Sequence, residues 1–416
     1  MADDTLFDMP AEQAPKPEPP TRPDEVRVYR ADRSQVAWLP RSLDALIAVD
    51  HPVRGVWAYL ERLDLSDFYA SVKAVQGRAG HPATDPQVLL ALWIYATSEG
   101  VASARQLAQL CQEHDAFRWL AGGVPINYHM LSDFRVQHKA ALDDLFTDIL
   151  TCMAESGLIT LGRVAQDGMR TRASAGASSF RRQATLEECL VEAQQQVERL
   201  AQAGTHPDHG IDRREEAARM RAAKDRERRV EQALAAMPAV KAAKEKQLKT
   251  LSKEKREKVK EPRVSTTDPE AHVMKMPDGG FRPAYNLEIA TDVENQIIVG
   301  VDVVTKGSDY GQAVPMMRQV TERMGEQPKV ALIDGSFPTR EDVTTLEKAG
   351  INVYAPVRPP RTKTSGRGRF DPRPDDTPEV VAWRARMETE EAKEIYKLRA
   401  ATSECVNAHA RRYGLT

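Results

Sequence analysis

A long charged helical segment at residues 183–261 is the feature that most limits how this chain can fold. Apolar side chains recur through its first part at helical spacing, and this period predicts an amphipathic helix. The Gly- and Pro-containing stretch 204–210 breaks the pattern, and a second helix is expected from about Arg213, with Pro238 interrupting it. Because strand-forming sequence lies on both sides, we interpret the segment as an antiparallel helical hairpin inserted into a sheet-containing domain.

The sequence before the insertion divides into a tail and a helical region. Residues 1–26 carry seven acids and two bases and are rich in proline, which predicts a disordered tail. Residues 27–157 have helical periodicity and predict a helical N-terminal domain. Within it, Asp85 and the proline that follows have the pattern of an N-cap and a first helical residue. A last helix of this domain is expected at about 130–155.

After the insertion, apolar and polar side chains alternate, which is typical of strands. With the insertion set aside, residues 158–416 predict a strand, a hairpin of two strands, a helix, a strand, a helix, a strand, a loop and a last helix. This is the element order of an RNase H-like domain, a mixed sheet with helices on both faces. The predicted fold class is therefore α+β, with a helical N-terminal domain followed by an RNase H-like mixed α/β domain that the charged hairpin interrupts.

Composition disfavours several classes of protein. The sequence has no apolar run long enough to span a bilayer, and its acidic, Pro-rich start does not resemble a signal peptide. Its four cysteines lie far apart without CxxC spacing, which disfavours a zinc site or a disulfide framework and suits a reducing cytosol. The net charge of −2 hides a basic arm, because residues 241–263 carry ten bases and four acids. This arm is either a DNA contact or a merely solvated helix face.

Two aspartates are expected where predicted strands end. Asp167 lies near the end of the first strand, and Asp334 ends the fourth. These strands are neighbours in an RNase H-like sheet, so the two carboxylates would meet at the edge where sites in open sheets form. Converging carboxylates favour a hard cation such as Mg²⁺, and two such ions can drive phosphodiester chemistry. Taken singly, each aspartate is more often a turn or cap residue.

Several motifs together resemble a family of bacterial insertion-sequence transposases. They are DPQVLLALWIYATSEGVASARQLAQLCQEHDAFRWLAGG in the helical region and, further along, VAQDGMRTRASA, STTDPEAHVMK, YNLEIATD and ALIDG. In this family a DDE catalytic domain with a charged helical insertion follows a helical domain. The resemblance implies that the helical domain binds the DNA ends of the element. It also implies that Asp167 and Asp334 are the first two catalytic acids and metal ligands.

The same resemblance assigns roles on the last helix. In the family a Tyr, an Arg, a catalytic Glu and a basic residue follow one another there, which points to Tyr396, Arg399, Glu404 and Arg411. Glu404 would be the third catalytic acid and metal ligand, and the other three residues would contact DNA. The commonest family signature has one residue fewer between the Arg and the Glu, so Glu394 and Glu391 stay open as alternatives for the third acid.

The function implied by the resemblance is DNA transposition. The protein would bind the ends of its insertion sequence and catalyse DNA cleavage and strand transfer with Mg²⁺ or Mn²⁺, as two ions. The expected partner is double-stranded DNA, from the element ends and the target, and a homodimer is expected in the synaptic complex. The expected location is the bacterial cytoplasm, in association with the nucleoid. Arg170 and Arg172 follow Asp167 and are expected to point toward the site and contact DNA.

The alternative function is that of a truncated, catalytically inactive transposase that acts as a DNA-binding protein or repressor. Family members continue past the last helix with a further apolar helical segment, whereas this sequence ends twelve residues after Glu404. We therefore expect the catalytic domain to be truncated at its C-terminus.

Overall fold

The computed structural model describes residues 42–74, 82–203, 213–250, 253–257, 259, 261–359 and 368–414. The tail predicted at 1–26 and the break predicted at 204–210 lie outside these ranges. None of the helices within the ranges is both long enough and apolar enough to cross a membrane.

The described part of the N-terminal region is built from helices. They are α1 (Pro52–Leu60), α2 (Ser66–Ala70), α3 (Pro86–Ser98), α4 (Ala104–Glu113), α5 (Asp115–Ala121), α6 (Tyr128–Gln137) and α7 (Lys139–Glu155). α3 lies at the centre because it is apolar on nearly all sides, and Leu92 is fully buried. Asp85 caps α3 as predicted, since its carboxylate accepts the backbone N–H of Gln87. The single helix predicted at 130–155 is wrong, because the backbone leaves the helical conformation at His138 and separates α6 from α7.

The rest of the described chain combines strands and helices. Up to the end of the insertion these are β1 (Val164–Arg172), β2 (Phe180–Arg181), α8 (Gln183–Ala203), α9 (Arg213–Thr250), α10 (Lys253–Arg256) and β3 (Val264–Ser265). After it come β4 (His272–Lys275), β5 (Phe281–Asp292), β6 (Ile297–Val304), α11 (Ala313–Met324), β7 (Val330–Ile333), α12 (Arg340–Lys348), β8 (Asn352–Tyr354), α13 (Pro378–Glu388) and α14 (Glu390–Arg412). A helical region is thus followed by a mixed α/β region, which confirms the predicted fold class at this level.

The main sheet has the strand order β6–β5–β1–β7–β8, and β4 pairs with the first part of β5. β5 runs antiparallel to β1 and β6, whereas β7 runs parallel to β1 and β8. The strand that carries Asp167 therefore lies beside the strand that precedes Asp334, as predicted. One boundary prediction is wrong. Asp167 lies inside β1 and not near its end, because the pairing with β5 continues as far as Arg172.

The inserted segment forms a hairpin whose base is closed by a small second sheet. Lys241 contacts Gln183 and Arg226 pairs with Glu192, so α8 and α9 run antiparallel, as predicted. At the base, β2 pairs antiparallel with β3. The chain thus leaves and re-enters the α/β region at one place, which allows the insertion without disturbing the main sheet.

The predicted interruption at Pro238 is wrong, because α9 continues through it. A proline inside a helix loses one backbone hydrogen bond and crowds the preceding turn. Apolar packing between the two helices offsets this loss of stability, since Met237 and Val230 of α9 are buried against Leu186 of α8. Pro238 itself points to solvent.

α7 connects the helical region to the α/β region. Leu145, in its first half, belongs to the core of the helical region, whereas Leu150 belongs to the core around α11, β7 and α12. The guanidinium of Arg323 on α11 donates to the hydroxyl of Thr147 (2.6 Å) and pairs with the carboxylate of Asp143 (2.7 Å). The helical region is therefore held against α11, which packs on the sheet that contains β1 and β7.

Candidate active site

Asp167 and Asp334 lie side by side where the parallel pairing of β1 and β7 ends. The last paired residues are Gln166 and Ile333, and the two aspartates follow them directly. The side chain of Asp334 is 42% exposed and that of Asp167 is 24% exposed. Asp334 also shapes the turn after β7, because its Oδ1 accepts the backbone N–H of Ser336 (2.8 Å). The structure therefore brings both predicted aspartates to one partly open edge of the sheet.

α14 lies across this edge and contacts Asp167 with two side chains. Nη2 of Arg399 lies 2.7 Å from Oδ1 of Asp167 and 3.7 Å from Oδ2 of Asp334. Nδ2 of Asn407 donates to Oδ2 of Asp167 (2.9 Å). Sequence analysis did not single out Asn407. It lies eight residues after Arg399, close to two helical turns, and this spacing is the signal that places it on the same helix face.

The apolar part of the same helix face holds α14 against the sheet. Val406 and Ala410 are buried against Met169 of β1 and Ile289 of β5. Met169 and Asp167 are two residues apart on one strand, so their side chains share a face of the sheet. Apolar packing between α14 and the sheet therefore holds Arg399 and Asn407 in position for their polar contacts with Asp167.

The environment of Asp167 opposes its ionisation. Burial raises the pKa of its carboxyl above the ordinary value, although the charge of Arg399 and the hydrogen bond from Asn407 act in the opposite direction. Tyr396 lies near the same charges, and burial raises the pKa of its hydroxyl to about 12. Tyr396 is therefore a hydrogen-bond donor throughout the physiological pH range.

The remaining residues predicted on α14 are not assembled with the two aspartates. Glu404 and Arg411 are exposed, and so are the alternatives Glu391 and Glu394. Glu404 is five residues after Arg399, so it leaves the helix about 140° away from the Arg399 direction at roughly 100° per residue. Within the described ranges, no three His, Cys, Asp or Glu side chains are grouped so that they could hold a metal ion.

Arg170 and Arg172 lie on the opposite face of the sheet from Asp167. They are three and five residues beyond it on a strand whose pairing with β5 has no irregularity, and side chains alternate between faces along a strand. Arg170 donates to the carbonyl of Gly307 (2.9 Å) and lies 3.6 Å from the carboxylate of Asp309. The expectation that both arginines point toward the site is therefore wrong. The alternation of side chains along a strand could have shown this from the sequence, because residues an odd number of positions apart point to opposite faces.

The opposite face carries a buried polar group that sequence analysis missed. Glu288 is 1% exposed, and Nδ2 of Asn286 donates to its Oε1 and to Oδ1 of Asp309, both at 2.6 Å. Gly168 is the residue of β1 that lies directly against this group. A Cβ atom there would lie 2.6 Å from Oδ1 of Asp309 and 3.1 Å from Oε1 of Glu288. The glycine after Asp167 therefore provides the space for two carboxyl groups behind the strand.

We predict that Glu288→Gln makes the protein more stable at neutral and alkaline pH. Burial, together with the nearby charges of Asp309 and Asp167, raises the pKa of Glu288 to about 8. A raised carboxyl pKa contributes stability that is full below the unfolded value of 4.5 and is lost as the pH rises through the folded value. The gain at pH 8.5 should be roughly 2 kcal/mol or more, because each unit of pKa shift is worth about 1.4 kcal/mol.

Urea unfolding of the wild type and the variant between pH 5 and pH 9 would measure this gain. The added amide can be accommodated, because Oε1 of Gln166 has no hydrogen-bond partner among the described residues and the amide can rotate. Glu322→Gln, at an exposed position of α11, is the matched control and should leave the pH profile unchanged. A Glu288→Gln profile parallel to that of the wild type would show that Glu288 titrates normally.

The chemistry of the two aspartates fits Mg²⁺ or Mn²⁺. One nitrogen atom of Arg399 lies within ion-pairing distance of both carboxylates, so a single small cation at that place could reach both. Mg²⁺ takes hard oxygen ligands, and it usually binds one or two carboxylates while water and substrate phosphates complete its shell. The carboxylates of Asp167 and Asp334 are therefore ligands of the kind that such an ion takes.

Comparison with known proteins found a similarity in the N-terminal helical region. No curated protein and no solved structure matches the chain. Residues 41–137 match the family model described as Transposase domain (DUF772). This match extends over α1 to α6, directly before α7 and the strand that carries Asp167. The N-terminal helical region is therefore similar to a transposase domain.

Proposed function

We propose that this protein is a DDE-type DNA transposase whose catalytic centre lies in an RNase H-like α/β domain. The observation that carries the proposal is the adjacency of Asp167 and Asp334 at the ends of the β1–β7 pairing, in a chain whose residues 41–137 match a transposase-domain model. The strand order supports it, since three antiparallel strands followed by two parallel ones form the sheet expected for such a domain.

Asp167 and Asp334 would hold one or two divalent ions through their carboxylate oxygens. Such ions supply a polarised water or 3′-hydroxyl for attack on a phosphodiester and stabilise the leaving oxygen. The Asp167 side chain is less exposed than that of Asp334, and the more exposed Asp334 would leave room for a DNA phosphate. Asn407 fixes the orientation of the Asp167 carboxylate by donating to it.

Glu404 is our proposed third acid, on the basis of the family resemblance. Its exposed position on α14 means that it reaches the two aspartates only if α14 rotates or shifts on β1. Tyr396, Arg399 and Arg411, on the same helix, are the proposed phosphate contacts, because a guanidinium and a phenol hydroxyl both donate to phosphate oxygens. The proposed DNA roles of Arg170 and Arg172 are less favoured, since Arg170 is engaged with Gly307 and Asp309.

The proposed substrate is double-stranded DNA, both at the ends of the insertion sequence and at the target. The helical region would bind the ends, and two copies of the chain would bring two ends together in the synaptic complex. The location expected for this function is the bacterial cytoplasm, near the nucleoid.

The test is a cleavage assay with the full chain and DNA that includes the genomic sequence flanking its coding region. We expect end-specific cleavage with Mg²⁺ or Mn²⁺ and none with EDTA. Binding of the same DNA should persist in Ca²⁺. Cleavage that continues at full rate in EDTA would refute the proposal.

A second candidate function is that of an inactive DNA-binding protein or repressor. The observation that favours it is the exposure of Glu404. Among the described residues, no three potential metal-ligating side chains lie together. End-specific DNA binding with no cleavage in any divalent metal would establish this function in place of the first.

A further inference from the structure

The guanidinium of Arg399 lies between the two proposed metal ligands. A single nitrogen, Nη2, is 2.7 Å from Asp167 and 3.7 Å from Asp334, and the side chain is only 13% exposed. Arg399 thus offsets one of the two negative charges that a divalent cation would bind. A divalent cation bound to these oxygens would compete with Arg399, because two cationic groups repel each other at such a distance.

We propose that Arg399 is a built-in competitor for the metal ion, and that a DNA phosphate displaces it from the carboxylates. The proposal rests on the proposed function of Asp167 and Asp334. Arg399 leaves Asp167 when a phosphate oxygen replaces the carboxylate as its acceptor, and the two aspartates then become available to the cation. Metal binding and DNA binding are therefore coupled, and each strengthens the other by the same factor.

The contacts of Arg399 are suited to exchange. Arginine binds a carboxylate most firmly through two parallel hydrogen bonds, with its planar fork facing both oxygens. Arg399 instead uses one nitrogen for both aspartates, and within the described residues its buried Nε has no hydrogen-bond partner. A phosphate with several oxygens could satisfy more of the guanidinium donors.

The rest of α14 can stay in place during this exchange. Asn407 holds the other oxygen of Asp167, and Val406 and Ala410 are packed against the sheet. Only the Arg399 side chain has to change its acceptor. Arg399 thus stays beside the two carboxylates when DNA is absent, so the metal ion binds more tightly to the DNA-bound protein than to the free protein.

The experiment measures Mn²⁺ binding to the full chain by electron paramagnetic resonance, without DNA. We expect Arg399→Gln to bind Mn²⁺ about tenfold more tightly than the wild type, because the competing cation is removed. Lys397→Gln is the matched control. It removes the same charge from the same helix at an exposed position that pairs with Glu394, and it should bind Mn²⁺ as the wild type does. Adding Asp334→Asn to Arg399→Gln should abolish the gain.

A second measurement tests the coupling. Short duplex DNA should tighten Mn²⁺ binding by the wild type and should have little effect on the already tight binding of Arg399→Gln. Arg399→Lys retains a cation, so its affinity should lie closer to that of the wild type, and it serves if Arg399→Gln fails to fold.

The outcomes separate this inference from the proposed function. Mn²⁺ binding that depends on Asp334 but is equal or weaker in Arg399→Gln overturns the competition and leaves the metal site intact. Mn²⁺ binding that is insensitive to Asp334→Asn in every background overturns the metal site itself, and the competition with it.

Discussion

Asp334→Asn is expected to lower the rate of DNA cleavage by about a hundredfold to a thousandfold, the range found when a single electrostatic group of an active site is removed. The substitution removes one of the two negative charges available to a cation at the edge of β1 and β7. The fold should be unaffected, because the Asn side-chain oxygen can still accept the backbone N–H of Ser336. Single-turnover cleavage at saturating Mg²⁺, together with urea unfolding, would measure both effects.

Asp302→Asn is a matched control for this experiment. Asp302 is an exposed aspartate of β6 whose Oδ1 also accepts a neighbouring backbone N–H, that of Val303 (2.8 Å). Its substitution removes the same charge away from the proposed site and should leave cleavage unchanged. If Asp334→Asn cleaves as fast as Asp302→Asn, Asp334 has no catalytic role.

Asp376→Ala is expected to reduce the free energy of unfolding by about 3–5 kcal/mol, the usual cost of leaving a buried charge without its partner. The Asp376 side chain is fully buried, and its Oδ2 lies 2.6 Å from Nε of Arg384, which is 3% exposed. The same oxygen accepts the backbone N–H of Arg373 (2.9 Å). This ion pair fixes the start of α13, which leads into α14, so its loss should also loosen the helix that contacts Asp167.

The effect of Asp376→Ala should depend on pH in a defined direction. Burial raises the pKa of Asp376, but the hydrogen bonds from Arg384 and Arg373 outweigh it, and the net pKa lies below the ordinary value of 3.8. A lowered carboxyl pKa contributes stability that is full above the unfolded value and is lost as the pH falls through the folded value. The difference between variant and wild type should therefore be constant near neutral pH and shrink in strong acid.

Urea unfolding at pH 7 and near pH 3 would measure this dependence. Asp375→Ala is the control, since Asp375 is the adjacent aspartate and is exposed. It should change the free energy of unfolding by no more than about 0.5 kcal/mol, as most surface substitutions do. Equal effects of the two substitutions would show that the Asp376–Arg384 pair does not stabilise the fold.

Prediction from sequence succeeded where local pattern or strand topology decides the outcome. The cap at Asp85 follows from the short range of a side-chain to backbone hydrogen bond. The adjacency of Asp167 and Asp334 follows from the order of strands and helices, since few connections between them are possible. Errors appeared where packing competes with a local preference. Pro238 disfavours a helix, yet buried contacts on the neighbouring turn keep α9 continuous.

The amino-acid sequence by itself determined the helical region, the inserted hairpin and the edge of the sheet where two aspartates meet. These features follow from hydrophobic periodicity and from the order of helices and strands, which depend on residues close together in the sequence or on the order of elements along it. Only the tertiary structure decided which side chains face those aspartates. The rotation of α14 about its axis places Arg399 and Asn407 on Asp167 and leaves Glu404 in solvent. Such an orientation depends on packing between residues more than two hundred positions apart, and no local pattern encodes it.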